Sequence, residues 1–86
     1  MFADLLSWYE FEYEWFLKAE HHVKDLERDG DPKGIKKIWF IEMMKHKEAV
    51  QRLREIFNKH YPTCMNVIDK VDEETEKTFK EAFGLE

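Results

Sequence analysis

Glycine and proline interrupt this chain at so few places that the intervals between them set its fold class. Three glycines and two prolines serve 86 residues. The first interruption is Asp29-Gly30-Asp31-Pro32. Gly30 suits the left-handed conformation that closes one helix, Asp31 suits a cap on the next, and Pro32 suits a first helical turn, where its missing N–H is no loss. The second interruption is Tyr61-Pro62-Thr63. Proline pushes the residue before it out of the helical region, and Thr63 offers a hydroxyl cap. Gly84, directly after Phe83, suits a closing residue. The intervals that remain, about 3–28, 32–60 and 63–83, are each long enough for a helix, within a single domain over 1–86.

Hydrophobic spacing agrees with the punctuation. Leu5, Tyr9, Glu12, Phe16, Ala19, Val23 and Leu26 recur by fours and threes, which places them along one face of a 3.6-residue helix with Glu12 as the polar interruption. Ile35, Trp39, Glu42, His46, Ala49, Leu53 and Ile56 do the same in the second interval, with Glu42 and His46 in the seam. The third continues with Cys64, Ile68, Val71, Thr75, Phe79 and Ala82, where Asp72-Glu73-Glu74 makes the central turn polar enough to fray or break. No period-two alternation competes. The expectation is an all-α fold, an antiparallel helical hairpin plus a third helix in an up-down-up three-helix bundle.

Charge narrows the partners. Fourteen Lys and Arg against 19 Asp and Glu give a net charge of −5, and such a chain is repelled by phosphate backbones, which argues against nucleic acid. No apolar stretch approaches the ~20 residues that cross a bilayer, and nothing resembles a cleavable signal, so no membrane partner is expected. One cysteine, Cys64, allows no internal disulfide, consistent with a cytoplasmic protein.

Seven of the 13 aromatic residues fall within the first 16 positions, and they cannot share one helix face. Trp8, Phe11 and Trp15 form a second stripe beside the seam, while Tyr13 with Leu6 and Leu17 begins a third. In the second helix, Ile38-Trp39-Phe40-Ile41 and Met43-Met44 are apolar all round. A bundle of this size buries only about 60–65% of its unfolded surface, so the surplus calls for cover by another protein surface. Two hairpins related by a two-fold axis give a four-helix bundle, so a homodimer is the simplest cover. Trp8, Phe11, Trp15, Phe40 and Met44 are the expected contact residues. The expected function is a small acidic protein–protein interaction module, regulatory, inhibitory or assembly-related, with no catalytic residues and no cofactor.

Glu12, Glu42 and His46 are the polar positions of the two seams. Glu42 and His46 lie four apart on one face, and a hairpin turning near Gly30 and Asp31 sets Glu12 opposite Ala49, about one turn from His46. This trio resembles the ferritin-like half-bundle of small encapsulated ferritins over Glu12 to about Leu53. The resemblance implies a di-metal carboxylate site that binds or oxidises iron as a dimer, with Glu12, Glu42 and His46 as ligands. The family spacing is Glu-x-x-His, whereas Glu42-Met43-Met44-Lys45-His46 has one residue more. The alternative for the trio is a hydrogen-bonded Glu–His pair that fixes helix register. Elsewhere, His21 and His22 follow Glu20 as surface charge, with His22 continuing the Trp8 stripe; Cys64 lies on an apolar seam, which favours packing over reactivity. The acidic stretch Asp69 to Glu81 reads as a solvated face able to meet a basic protein surface.

Overall fold

A computed structural model describes residues 1–84. Helix α1 spans Phe2–Asp29, α2 spans Lys36–His60, a short 3-10 turn covers Pro62–Cys64, and α3 spans Met65–Phe83. No strand occurs among the described residues, and no helix is long and apolar enough to cross a membrane.

The first break differs from its expectation. Gly30 has positive φ, at 91°, but ψ of 165° makes it extended and not left-handed, a conformation that side chains with a Cβ avoid. The chain therefore leaves α1 outright, and Pro32 falls in a turn instead of the first turn of α2. Asp31 still provides the cap, from a distance: its carboxylate accepts from the Ile35 N–H at 2.9 Å and the Lys36 N–H at 3.0 Å. Those are donors that a helix start otherwise leaves unmatched, so α2 begins where Asp31 can reach.

At the second break Thr63 makes no side-chain cap. The backbone serves instead, with the Tyr61 N–H donating to the Phe57 carbonyl at 2.7 Å and the Cys64 N–H to the Tyr61 carbonyl at 3.0 Å. Gly84 does end α3 in the left-handed conformation. The acidic turn at Asp72-Glu73-Glu74 neither frays nor breaks, since α3 is continuous through it. Asp72 is tied to α1 and α2, as described below, so its charge is matched where an isolated helix would leave it unmatched.

Packing is uneven along the molecule. Tyr9, Val50, Leu53, Phe57 and Ile68 form one buried cluster, with Phe2, Leu5, Leu6, Tyr13, Tyr61, Met65 and Val71 packed around it. All three helices contribute to it, at the end formed by the start of α1, the close of α2 and the start of α3. The buried face of α2 there is Val50, Leu53 and Phe57, whereas Ala49 is half-buried and Ile56 exposed. Phe57 packs edge-on against Phe2 and Tyr9 of α1, and the same cluster takes in the fully buried Ile68 of α3. Leu17, placed off the α1 seam by its spacing, is buried, as are Ala19 and Val23.

The partners of α1 run in opposite orders on its two neighbours. Against α2, His22 stacks on Trp39, Glu12 meets His46, Tyr9 meets Phe57 and Phe2 meets Tyr61. Against α3, Tyr9 meets Asp72, Tyr13 meets Glu76 and His21 meets Phe83. The molecule is long and thin, 46 × 25 × 15 Å, with a radius of gyration of 14.5 Å. A compact chain of this length has about 12 Å.

Candidate functional site

Two polar groups and one apolar face hold the chemistry-bearing residues. The first group is the seam trio. Glu12 and His46 are in direct contact, with Glu12 Oε2 2.7 Å from His46 Nδ1; His22 on Trp39 and Trp15 on His46 keep the register that sets Glu12 opposite Ala49, so the two side chains reach across one turn. An ionised carboxylate only accepts, so Nδ1–H donates to Glu12. Glu42 Oε2 lies 3.5 Å from the other ring nitrogen, Nε2, one turn back on the same helix. Trp15 stacks on the imidazole at a centroid distance of 6.1 Å. Glu12 and His46 are mostly buried, each 14% exposed.

The structure thus brings all three residues together, but as a chain with the imidazole in the middle. A metal ion needs its donor atoms about 2 Å from a common point, and the two carboxylates sit on different sides of one ring. Among the described residues no group of three His, Cys, Asp or Glu side chains is arranged to hold a metal ion. The half-bundle resemblance implies a site shared between two chains; within one chain Glu12, His46 and Glu42 form the line just described. Nδ1 of His46 is taken by Glu12, while Nε2 faces the more exposed Glu42 carboxylate. What the arrangement does is tie α1 to α2 at one register.

The second group escaped the sequence reading. Arg54 Nη1 donates to Asp72 Oδ2 at 2.7 Å and to the Tyr9 hydroxyl at 3.0 Å, while Nη2 donates to Asp69 Oδ1 at 2.8 Å. The Tyr9 hydroxyl in turn donates to Asp72, and the Tyr13 hydroxyl to Glu76. One guanidinium fork thereby links all three helices. Burial pushes both phenols well above their ordinary value, and the carboxylate that each faces adds to the effect. The Arg54 guanidinium is held charged mainly by Asp69. Burial raises Asp72 despite the Tyr9 hydroxyl and the Arg54 charge that favour its ionised form. The signal was present as Asp69, Asp72 and Glu76, spaced three and four apart, within a segment read as solvated.

All five expected contact residues are exposed: Trp8, Phe11, Trp15, Phe40 and Met44. They do not share one face. With successive residues about 100° apart, Tyr9 and Tyr13 fall about 60° and 100° from Glu12 on the α3 side of α1, whereas Trp8, Trp15 and Phe11 fall about 40°, 60° and 100° to the other side. On α2, Arg54 falls about 80° from His46 toward α3, and Ile38 about 80° the other way. Phe40 and Met44 lie about 120° and 160° from His46 in the sense of Arg54. The aromatic face is therefore Trp8, Phe11 and Trp15, and Phe40 and Met44 occupy the back of α2.

His21 is half-buried between Asp25, at 3.2 Å, and the rings of Phe79 and Phe83. His22, expected to extend the aromatic stripe, spends its ring on Trp39 at 4.3 Å. Cys64 is a half-buried free thiol. Compared with known protein families, with characterised proteins and with solved structures, the chain matches none.

Proposed function

We propose that this chain is a small acidic protein–protein interaction module, an up-down-up three-helix bundle that works as a homodimer through its aromatic face, in an assembly, regulatory or inhibitory role. The opposite running orders of the α1 contacts support the up-down-up arrangement. One observation carries the dimer. The chain exposes 6322 Å² of surface, whereas a folded monomer of 10.6 kDa exposes about 5,500 Å². The excess is roughly 800 Å², the area that one partner contributes to a standard protein–protein interface.

The place to cover is the stripe of Trp8, Phe11 and Trp15, of which Trp8 is 54% and Phe11 55% exposed. Tryptophan and other aromatics are the anchors from which interface energy comes. Charge favours the same face. The acidic α3 packs against the opposite side of α1, so two copies meeting through Trp8, Phe11 and Trp15 keep their α3 helices apart.

Light-scattering mass after size exclusion tests this reading. Trp15→Glu places a charge in the middle of the stripe and is expected to give monomers with unchanged helicity by circular dichroism, while Phe40→Glu, on the back of α2, leaves the dimer intact. Loss of helicity in Trp15→Glu would assign Trp15 to the core instead. The di-metal alternative predicts stoichiometric iron in protein purified without chelator; elemental analysis is expected to find none at that level.

A further inference from the structure

A groove of about 230 Å³ runs between α1 and α3, lined by neither the seam trio nor the Arg54 group and bordering the aromatic stripe only through Lys18. Val71, Phe79, Ala82 and Phe83 provide its apolar lining, and Glu10, Glu14 and Glu74 its rim. The one cation there, Lys18, is already engaged: it pairs with Glu14 at 3.1 Å and its ammonium lies over the Trp15 ring at 5.1 Å. Glu10 and Glu74 are exposed, and no salt bridge reaches either from the described residues.

The volume selects the type of occupant. Sites for drug-sized ligands and cofactors hold about 300–1,000 Å³, so this groove takes one or two apolar side chains and not a whole small molecule. Its open form between two helices suits a third helix laid along it, with apolar residues at one-turn spacing entering the groove. The rim selects the charge, because uncompensated carboxylates beside an apolar floor favour Lys and Arg flanking those anchors. Anionic lipid and nucleic acid are disfavoured by the same carboxylates. The chain contains its own example of such an element: α2 carries seven Lys and Arg against three Glu, together with an apolar stripe, and it packs on the acidic α1.

We propose that the α1–α3 groove is a docking site for a basic amphipathic helix of a partner protein, seated on Phe79 and Val71 and held by Glu10 and Glu74. This site meets the aromatic face at Lys18 but shares none of Trp8, Phe11 and Trp15 with it.

The probe is a fluorescein-labelled helical peptide of leucine and lysine, with a leucine and glutamate peptide as its control, followed by fluorescence anisotropy at low salt. The lysine peptide is expected to bind saturably, to shift backbone amide resonances around Val71 and Phe79, and to weaken about tenfold or more in Glu10→Lys/Glu74→Lys, both exposed positions where folding is retained. The control peptide is expected not to bind. Trp8→Glu, which puts a charge in the stripe without touching the groove lining, is expected to bind the lysine peptide as well as the native chain does, which separates this site from the dimer face. Absence of saturable binding, unchanged affinity in the double variant, resonance shifts confined to other faces, or equal binding of the glutamate peptide would each overturn the proposal. A fall in the chain's own mass on making Glu10→Lys/Glu74→Lys would also overturn it, since the groove would then be filled by a second copy.

Discussion

The two ends of this molecule differ in how they spend their apolar residues. At the end holding Tyr9, Phe57 and Ile68, three helices converge and the largest side chains are fully buried. At the end nearer the hairpin turn, Ile38, Phe40 and Ile41 stand exposed, although these positions are as hydrophobic as those of the closed end. The difference is the third helix. Its N-terminal half covers α2 through Ile68 and Asp72, and among the described residues none covers the N-terminal half of α2 in the same way. Composition decides how much apolar surface exists, and topology decides which part of it the chain can cover alone.

The comparison breaks if truncations at the two ends cost the same. Phe57→Ala is expected to remove about 3–5 kcal/mol, the range for deleting a buried aromatic ring, whereas Ile41→Ala is expected to stay within about 0.5 kcal/mol because its site is exposed. Urea denaturation followed by circular dichroism measures both. A large loss at Ile41 would mean that the open end is already packed.

Next in size is the guanidinium that joins the three helices. Arg54→Ala leaves Asp72 half-buried without its cation and Tyr9 without its donor. Because the Arg54 side chain is 34% exposed, solvent screening trims the effect to about 1–2 kcal/mol. Arg52→Ala, on the exposed surface of the same helix, serves as the neutral comparison.

The smallest expected effect separates the ends by pH. Tyr9 and Tyr13 are held protonated in the folded state, primarily by burial. Their folded values lie above the ordinary phenol value of 10.0, so above that pH the unfolded chain gives up protons that the folded chain retains. The stability they contribute is present in full below pH 10 and is lost as pH rises toward the folded values. Thermal midpoints are expected to fall between pH 10 and 11, and Tyr9→Phe/Tyr13→Phe is expected to flatten that fall. An unchanged slope in the double variant would mean that neither phenol is held by the closed end.

Much of the fold was legible from local chemistry. Glycine, proline and 3.6-residue spacing mark three helices, because each depends on residues within a turn or two of one another. The beginning of α2 was misplaced because Asp31 caps from four residues away, a reach that spacing alone does not reveal. The buried face of α2 was misassigned from Ala49 and Ile56 for a related reason: Val50 and Phe57 are favoured over them only once Phe2 and Tyr9 of α1 and Ile68 of α3 are placed around α2. In the candidate site, the seam trio was visible because polar residues interrupt an apolar stripe. Arg54, Asp72 and Tyr9 were not, since charge matching between helices becomes apparent only once the helices are placed. The exposed tryptophan stripe was legible as a surplus, whereas the separation of Phe40 and Met44 from it required the register of α1 on α2.

The central claim is that a second copy covers the exposed stripe of Trp8, Phe11 and Trp15. Sedimentation equilibrium of the native chain at micromolar concentration tests it most directly. The account predicts a mass twice the 10.6 kDa of the chain, converting to a single-chain mass in Trp15→Glu. A native mass of one chain across that concentration range would contradict it.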